Sequence, residues 1–133
     1  MKGSVGGRAI LVAAALLGAL AVAMGAFAAH GLRASGDPRA VELVETASRY
    51  QLIHVLAAFA ASALAPERRA APLLFVAGGI LFPGSLYALA LGGPRELALA
   101  APVGGGLFVL GWLVFAFGLA RRDPRREGSR GGG

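Results

Sequence analysis

His30, Tyr50, Gln51 and His54 form the one cluster of hydrogen-bonding and titratable side chains set at the edge of long apolar stretches in this 133-residue chain. Neutral imidazole ligates zinc, copper or haem iron, so His30 and His54 are the candidate metal ligands. Tyr50 and His54 are four apart and share a helix face, with Gln51 beside them and the pair Glu45 and Arg49 one turn above. A first helix running outward to His30 and a second running inward from about Tyr50 would bring the two histidines to similar depth. Two histidines without a carboxylate or thiolate at that depth make an incomplete metal site. The preferred reading is therefore structural: an imidazole inside a membrane is costly until its nitrogens find partners, and cross-helix bonds among these four residues would supply them. A polar pocket for a small molecule or lipid headgroup is the next reading. No catalytic residue and no cofactor is assigned, and no metal beyond the alternative in which His30 and His54 ligate one.

The elements that must position this cluster are apolar helices. A mean hydropathy of +0.68 with 56% hydrophobic residues exceeds what a soluble domain of this size carries. Charge-free runs predict four membrane spans at about 9–29, 50–65, 70–91 and 97–120, the first of them long enough to cross about 30 Å of hydrocarbon. Asp37-Pro38 reads as an N-cap followed by a first helical position, so the second helix is expected to run from Pro38 to Ala65. Its first half, with Arg39, Glu42, Glu45 and Arg49 on one face and Val41, Val44 and Ala47 on another, would be an amphipathic outer extension. The fold class is all-α, an integral membrane four-helix bundle forming a single domain over 1–120. An alternative for the first span is a cleaved signal peptide with Ala26-Phe27-Ala28 as its cleavage site, but the apolar run is too long for the usual h-region.

Charge sets orientation and excludes one class of partner. The net charge of +6 comes from arginines at chain ends and between apolar runs, without the interleaved aromatics of a nucleic-acid surface, so no nucleic acid is expected. With four spans, Lys2, Arg8, Arg68, Arg69, Arg121, Arg122, Arg125, Arg126 and Arg130 share one side, and Arg33, Arg39, Arg49 and Arg95 the other. By the positive-inside rule both termini are cytoplasmic. The segment 121–133, rich in Arg and Gly, reads as a disordered basic cytoplasmic tail. The absence of cysteine removes disulfides and thiolate metal sites, and no Asp or Glu lies inside a span to carry protons or sodium.

Small residues recur where helices would meet: Gly18 and Gly25 on the first helix, Gly78 and Ser85 on the third, and Gly104, Gly111 and Gly118 at seven-residue intervals on the fourth. Close packing is the expected use, and lining a pore the alternative. Pro83 removes a backbone donor from the third helix and invites a kink, with Ser85 placed to hydrogen-bond nearby. Tyr87 fits an interfacial aromatic belt, and Trp112 with Phe108, Phe115 and Phe117 a lipid-facing or packing surface.

Gly25-Ala26-Phe27-Ala28-Ala29-His30-Gly31-Leu32, Tyr50-Gln51-Leu52-Ile53-His54, Leu81-Phe82-Pro83-Gly84-Ser85-Leu86-Tyr87 and Pro102-Val103-Gly104-Gly105-Gly106, followed by Gly111-Trp112, resemble the family called domain of unknown function 423, whose animal members are named transmembrane protein 256. The resemblance extends from about Gly7 to Ala120. Ala28 stands where that pattern usually has Gly, Leu52 and Ile53 where it has Met and an aromatic, and Pro83 where it has Ser. The resemblance implies four membrane helices, and it carries no catalytic role onto His30 or His54. The expectation is a bacterial inner-membrane protein without catalysis of its own, acting through the lipid bilayer, a homo-oligomer or a membrane-protein partner. The alternatives are a metal- or haem-binding protein using His30 and His54, and a small-solute channel or transporter.

Overall fold

The computed structural model describes residues 5–121, and every long element among them is helical. Helix α1 spans Val5–Phe27 and continues through a π-helical turn, Ala28–Leu32, into the short turn Arg33–Ser35. The Arg33 N–H reaches the Ala28 carbonyl across the wide turn. Gly36, at φ 75°, ends the run in the left-handed region that a residue without Cβ adopts freely.

Helix α2, Pro38–Leu64, begins at once. The Asp37 carboxylate accepts from the backbone N–H groups of Arg39 at 3.0 Å and Ala40 at 3.1 Å, and Pro38 sits where a missing N–H costs nothing. Helix α3, Ala70–Ala90, contains Pro83 without being ended by it, and closes at Gly92, φ 85°. A 3-10 turn, Arg95–Leu99, leads into α4, Ala100–Ala120.

Three stretches are long and apolar enough to cross a membrane: Val5–Ser35, Ala70–Ala90 and Arg95–Ala120. Helix α2, although 27 residues long, is not among them. Its first half carries four charged residues and its second half Gln51 and His54, so its place depends on packing against its neighbours. It has those on both sides: α1 packs on α2, α2 on α3 and α3 on α4, with α1 also touching α3. Helices α2 and α4 approach each other narrowly, and α1 and α4 form no packed interface. Helices α2 and α3 are thus central, and α1 and α4 flank them.

Two apolar clusters hold the helices. One gathers Ala14, Ala58, Ala61, Phe75, Phe108 and Phe115. The other, at the end of the bundle where α2 begins, gathers Ala28, Leu32, Ala40, Val44, Ala47 and Tyr87. The first half of α2 therefore buries Ala40, Val44 and Ala47 against the ends of α1 and α3 while Arg39, Glu42 and Arg49 stay exposed.

Candidate functional site

Between the two clusters α2 turns Gln51 and His54 inward, three residues apart on the stripe that continues from Ala47 to Ala58 and Ala61. Gln51 is 1% exposed. Its Nε2 donates to the Gly79 carbonyl at 3.0 Å, and its Oε1 accepts from the Tyr87 hydroxyl at 2.7 Å. The Gly79 carbonyl is the one that Pro83, lacking an N–H, leaves without its helical donor four residues on. Gln51 thus supplies from α2 the hydrogen bond that proline withholds inside α3. In lipid such interhelical bonds contribute about 0.6 kcal/mol each on average and up to about 1.7.

Tyr87, whose sequence position fits an interfacial belt, is instead buried, 7% exposed, and closes this network. Its side chain lies along α3 toward the N-terminal end of that helix, as helical side chains do, and so meets a residue level with Gly79. Only its hydroxyl, a donor that needs a partner when buried, hinted at that role in the sequence.

His54 is 5% exposed and lies among aromatic rings. Phe108 of α4 stacks on it with centroids 3.5 Å apart and planes 9° from parallel, while Phe75 and Trp112 meet it at 5.9 and 6.2 Å. Nδ1 lies 2.7 Å from the Tyr50 carbonyl, and the Tyr50 ring is 6.1 Å away and nearly parallel. Since a carbonyl can only accept, Nδ1 carries the hydrogen of this contact. The His54 ring thereby bridges α2 to α4 across Gly78 of α3, where a Cβ would come within 2.6 Å of the Phe108 ring.

His30 does not join this group. It sits exposed in the π turn at the C-terminal end of α1, whereas His54 is buried well away from that end. Gly18 faces Val55, the neighbour of His54, and Gly25 faces Ser48. His54 is thus level with the middle of α1, about 17 Å along the helix from His30. The expected common depth is wrong because α2 starts two residues after Gly36 and packs along α1 from its first turn. Its residues before Tyr50 occupy the level of His30. Two histidines that far apart cannot ligate one ion, and among the described residues no three His, Asp or Glu side chains gather at metal-binding distance. Of the predicted cluster, Tyr50 and His54 meet, Gln51 points to Tyr87 and Gly79, and His30 stands apart.

The expected pair of Glu45 with Arg49 is also replaced. Glu45 accepts from Arg33 at 2.7 Å, because the π turn brings the end of α1 over the start of α2. These two line a cleft of about 410 Å³ with Asp37, Val41 and Glu42.

The small residues lie at the helix contacts to unequal degrees. A Cβ on Gly104 would meet the Phe82 backbone nitrogen and lie 2.8 Å from its Cα, so α3 and α4 touch there backbone to backbone. On Gly111 it would lie 2.8 Å from the Phe75 ring. Gly18, Gly25 and Gly118 face Val55, Ser48 and Arg68 at 3.3, 3.5 and 3.4 Å, a looser fit. Ser85 is buried and donates to the Phe82 carbonyl at 2.8 Å, within its own helix.

Comparison with known proteins agrees with this membrane architecture. The family described as a protein of unknown function, DUF423, matches residues 24–105. A UPF0382 membrane protein of Haemophilus influenzae is 40% identical over 112 residues, which cover 81% of this chain and 90% of the relative. The UPF0382 inner membrane protein YgdD of Escherichia coli K12 is 39% identical over 122 residues, 86% of this chain and 91% of the relative. A UPF0382 membrane protein of Staphylococcus epidermidis is 37% identical over 112 residues, 80% and 91% respectively. No solved structure matches the chain.

Proposed function

The chain belongs to the DUF423 family of small membrane proteins, and from that premise we propose a non-catalytic, multi-pass component of the inner membrane that acts through bilayer lipid or partner proteins. The observation that carries this reading is the unpaired flank. Helices α1 and α4 form no interface with each other, and α4 keeps Val109, Leu110, Leu113 and Phe117 exposed beside the single buried stripe of Gly104, Phe108, Gly111, Phe115 and Gly118. On this reading the four-helix bundle is an open one, whose closure is left to lipid, a second copy or another membrane protein. Gln51, by contrast, has its bonds satisfied within the protein, as a structural residue does. The inner location follows the Escherichia coli relative, and cytoplasmic termini follow the arginine distribution. In that orientation the charged first half of α2 is an amphipathic extension at the outer surface.

The cysteine-free sequence gives a clean background for the test. Leu110→Cys and Leu113→Cys, treated with a bifunctional thiol reagent in native membranes, should give a crosslinked species, and Gly106→Cys on the same helix serves for comparison. Free monomer alone at all positions would sink the partner reading. Ser35→Cys should react with a membrane-impermeant thiol reagent added from outside; protection there with labelling only after lysis would reverse the topology.

A further inference from the structure

Two arginines from separate elements close on the last turn of α4. Arg68, in the connection between α2 and α3, lays its Cδ against Gly118, 3.4 Å from where a Cβ would stand. Arg121, the residue after α4, turns back along the helix and holds its guanidinium carbon 4.3 Å from the centroid of the Phe117 ring. Phe117 and Gly118 are neighbours, about 100° apart around the helix, so two full positive charges meet at one edge of α4. Both arginines are exposed, and among the described residues neither has a carboxylate partner, the one ion pair being Arg33 with Glu45. Glu67, next to Arg68 in the chain, is exposed and pairs with neither. Like charges held together repel, and an anion between them relieves that repulsion. We propose that Arg68 and Arg121 bind the phosphate of an anionic phospholipid headgroup at the C-terminal end of α4.

Position and chemistry select the occupant. The apolar stretch Arg95–Ala120 ends just before Arg121, which places this residue where the span leaves hydrocarbon, at the level of phospholipid headgroups in either orientation of the chain. The cation–π contact with Phe117 aims the guanidinium back toward the bilayer instead of out into solvent. The Phe117 side chain is 52% exposed, so acyl chains below a bound phosphate meet apolar surface. A guanidinium offers a planar fork of N–H donors that matches phosphate oxygens, and here two forks come from different elements. Arg8 of α1 and Arg69, whose guanidinium reaches Gly6 of α1, are exposed at the same end and add to its positive field. That field favours a headgroup of net negative charge over phosphatidylcholine, which carries its own cation. The site names the lipid in the reading above and rests on its multi-pass placement. It uses only the last turn of α4, so the crosslinking at Leu110 and Leu113 succeeds or fails independently of it.

Full-length protein in dodecyl maltoside can be titrated with dioleoyl phosphatidylglycerol or dioleoyl phosphatidylcholine while native mass spectrometry counts the bound lipid. The first phosphatidylglycerol should bind more tightly than the first phosphatidylcholine. Arg68→Gln with Arg121→Gln should weaken that step about thirtyfold, at about fivefold for each arginine beside a headgroup. Arg8→Gln with Arg69→Gln removes the same charge from the same end and should leave most of the affinity. The single variant Arg121→Gln, expected at about fivefold, reads the same site if circular dichroism shows that the double variant has lost its helices. Equal affinity for the two lipids, or equal weakening by the two double variants, would overturn the proposal. Displacement of bound phosphatidylglycerol by inorganic phosphate at equal concentration would overturn it as well, by assigning the arginines to a free anion.

Discussion

Replacing Gln51 with leucine should cost far more stability when residue 83 is proline than when it is alanine. In the native chain Gln51→Leu keeps the bulk but leaves two groups without partners, the Gly79 carbonyl and the Tyr87 hydroxyl. At about 0.6 to 1.7 kcal/mol per interhelical bond, the loss is about 1 to 3 kcal/mol. In Pro83→Ala the new N–H at position 83 reaches the Gly79 carbonyl, so Gln51→Leu then strands the Tyr87 hydroxyl alone and costs about half as much. The coupling between the two positions should be about 1 kcal/mol. The four proteins of this double-mutant cycle can be compared by reversible unfolding in mixed micelles titrated with dodecyl sulfate. The cycle cancels any change in α3 curvature that Pro83→Ala causes by itself. Additivity to within about 0.3 kcal/mol would refute the assignment of Gln51 as the surrogate donor, since independent sites add to about that precision.

Gly104→Ala should destabilise the protein by about 1 to 3 kcal/mol, because α4 must retreat from the Phe82 backbone, whereas Gly106→Ala, whose Cβ meets nothing within 4 Å, should be neutral or stabilise by up to about 1 kcal/mol; thermal unfolding in mild detergent reads both, and equal melting points would contradict the close contact. His54→Ala should cost roughly 2 kcal/mol by removing the ring stacked on Phe108, while His30→Ala, exposed in the π turn, should stay within about 0.5 kcal/mol of the native protein. A double-mutant cycle on Arg33 and Glu45 should give a coupling below about 1 kcal/mol that fades with salt, and the cycle on Glu45 and Arg49 should give none; coupling confined to the second pair would restore the pairing that sequence spacing implies.

Local signals were plain in the sequence wherever one segment carried the whole cause. Asp37-Pro38 starts α2 because the cap and the proline need only the next three residues. The apolar runs give an all-α membrane chain because backbone groups in lipid must bond within their own segment. The seven-residue spacing of Gly104, Gly111 and Gly118 puts them on one face in any helix. What could not be read required knowing how segments slide past each other. Counting from the start of the apolar run sets His54 level with His30, but the packing of Ala40, Val44 and Ala47 against Ala28 and Leu32 aligns the earlier turns of α2 with that end of α1. Glu45 has a neighbour at helical spacing in Arg49, yet Arg33 from another helix is nearer. The need of Gly79 for a donor was implicit in Pro83, but nothing local identified Gln51, 28 residues earlier, as the group that meets it.

The π turn at Ala28–Leu32 makes the C-terminal end of α1 sensitive to chain length as well as to chemistry. It holds one residue more than an α turn, so everything after it is rotated by about 100° relative to an unbroken helix. That phase is what buries Leu32 and points Arg33 at Glu45. Deleting Ala29 alone, with every named side chain retained, would convert the turn to an ordinary one and swing the guanidinium away from its carboxylate. The segment around His30 therefore works as a rotational spacer, set by the number of its residues, and the imidazole it carries is along for the turn.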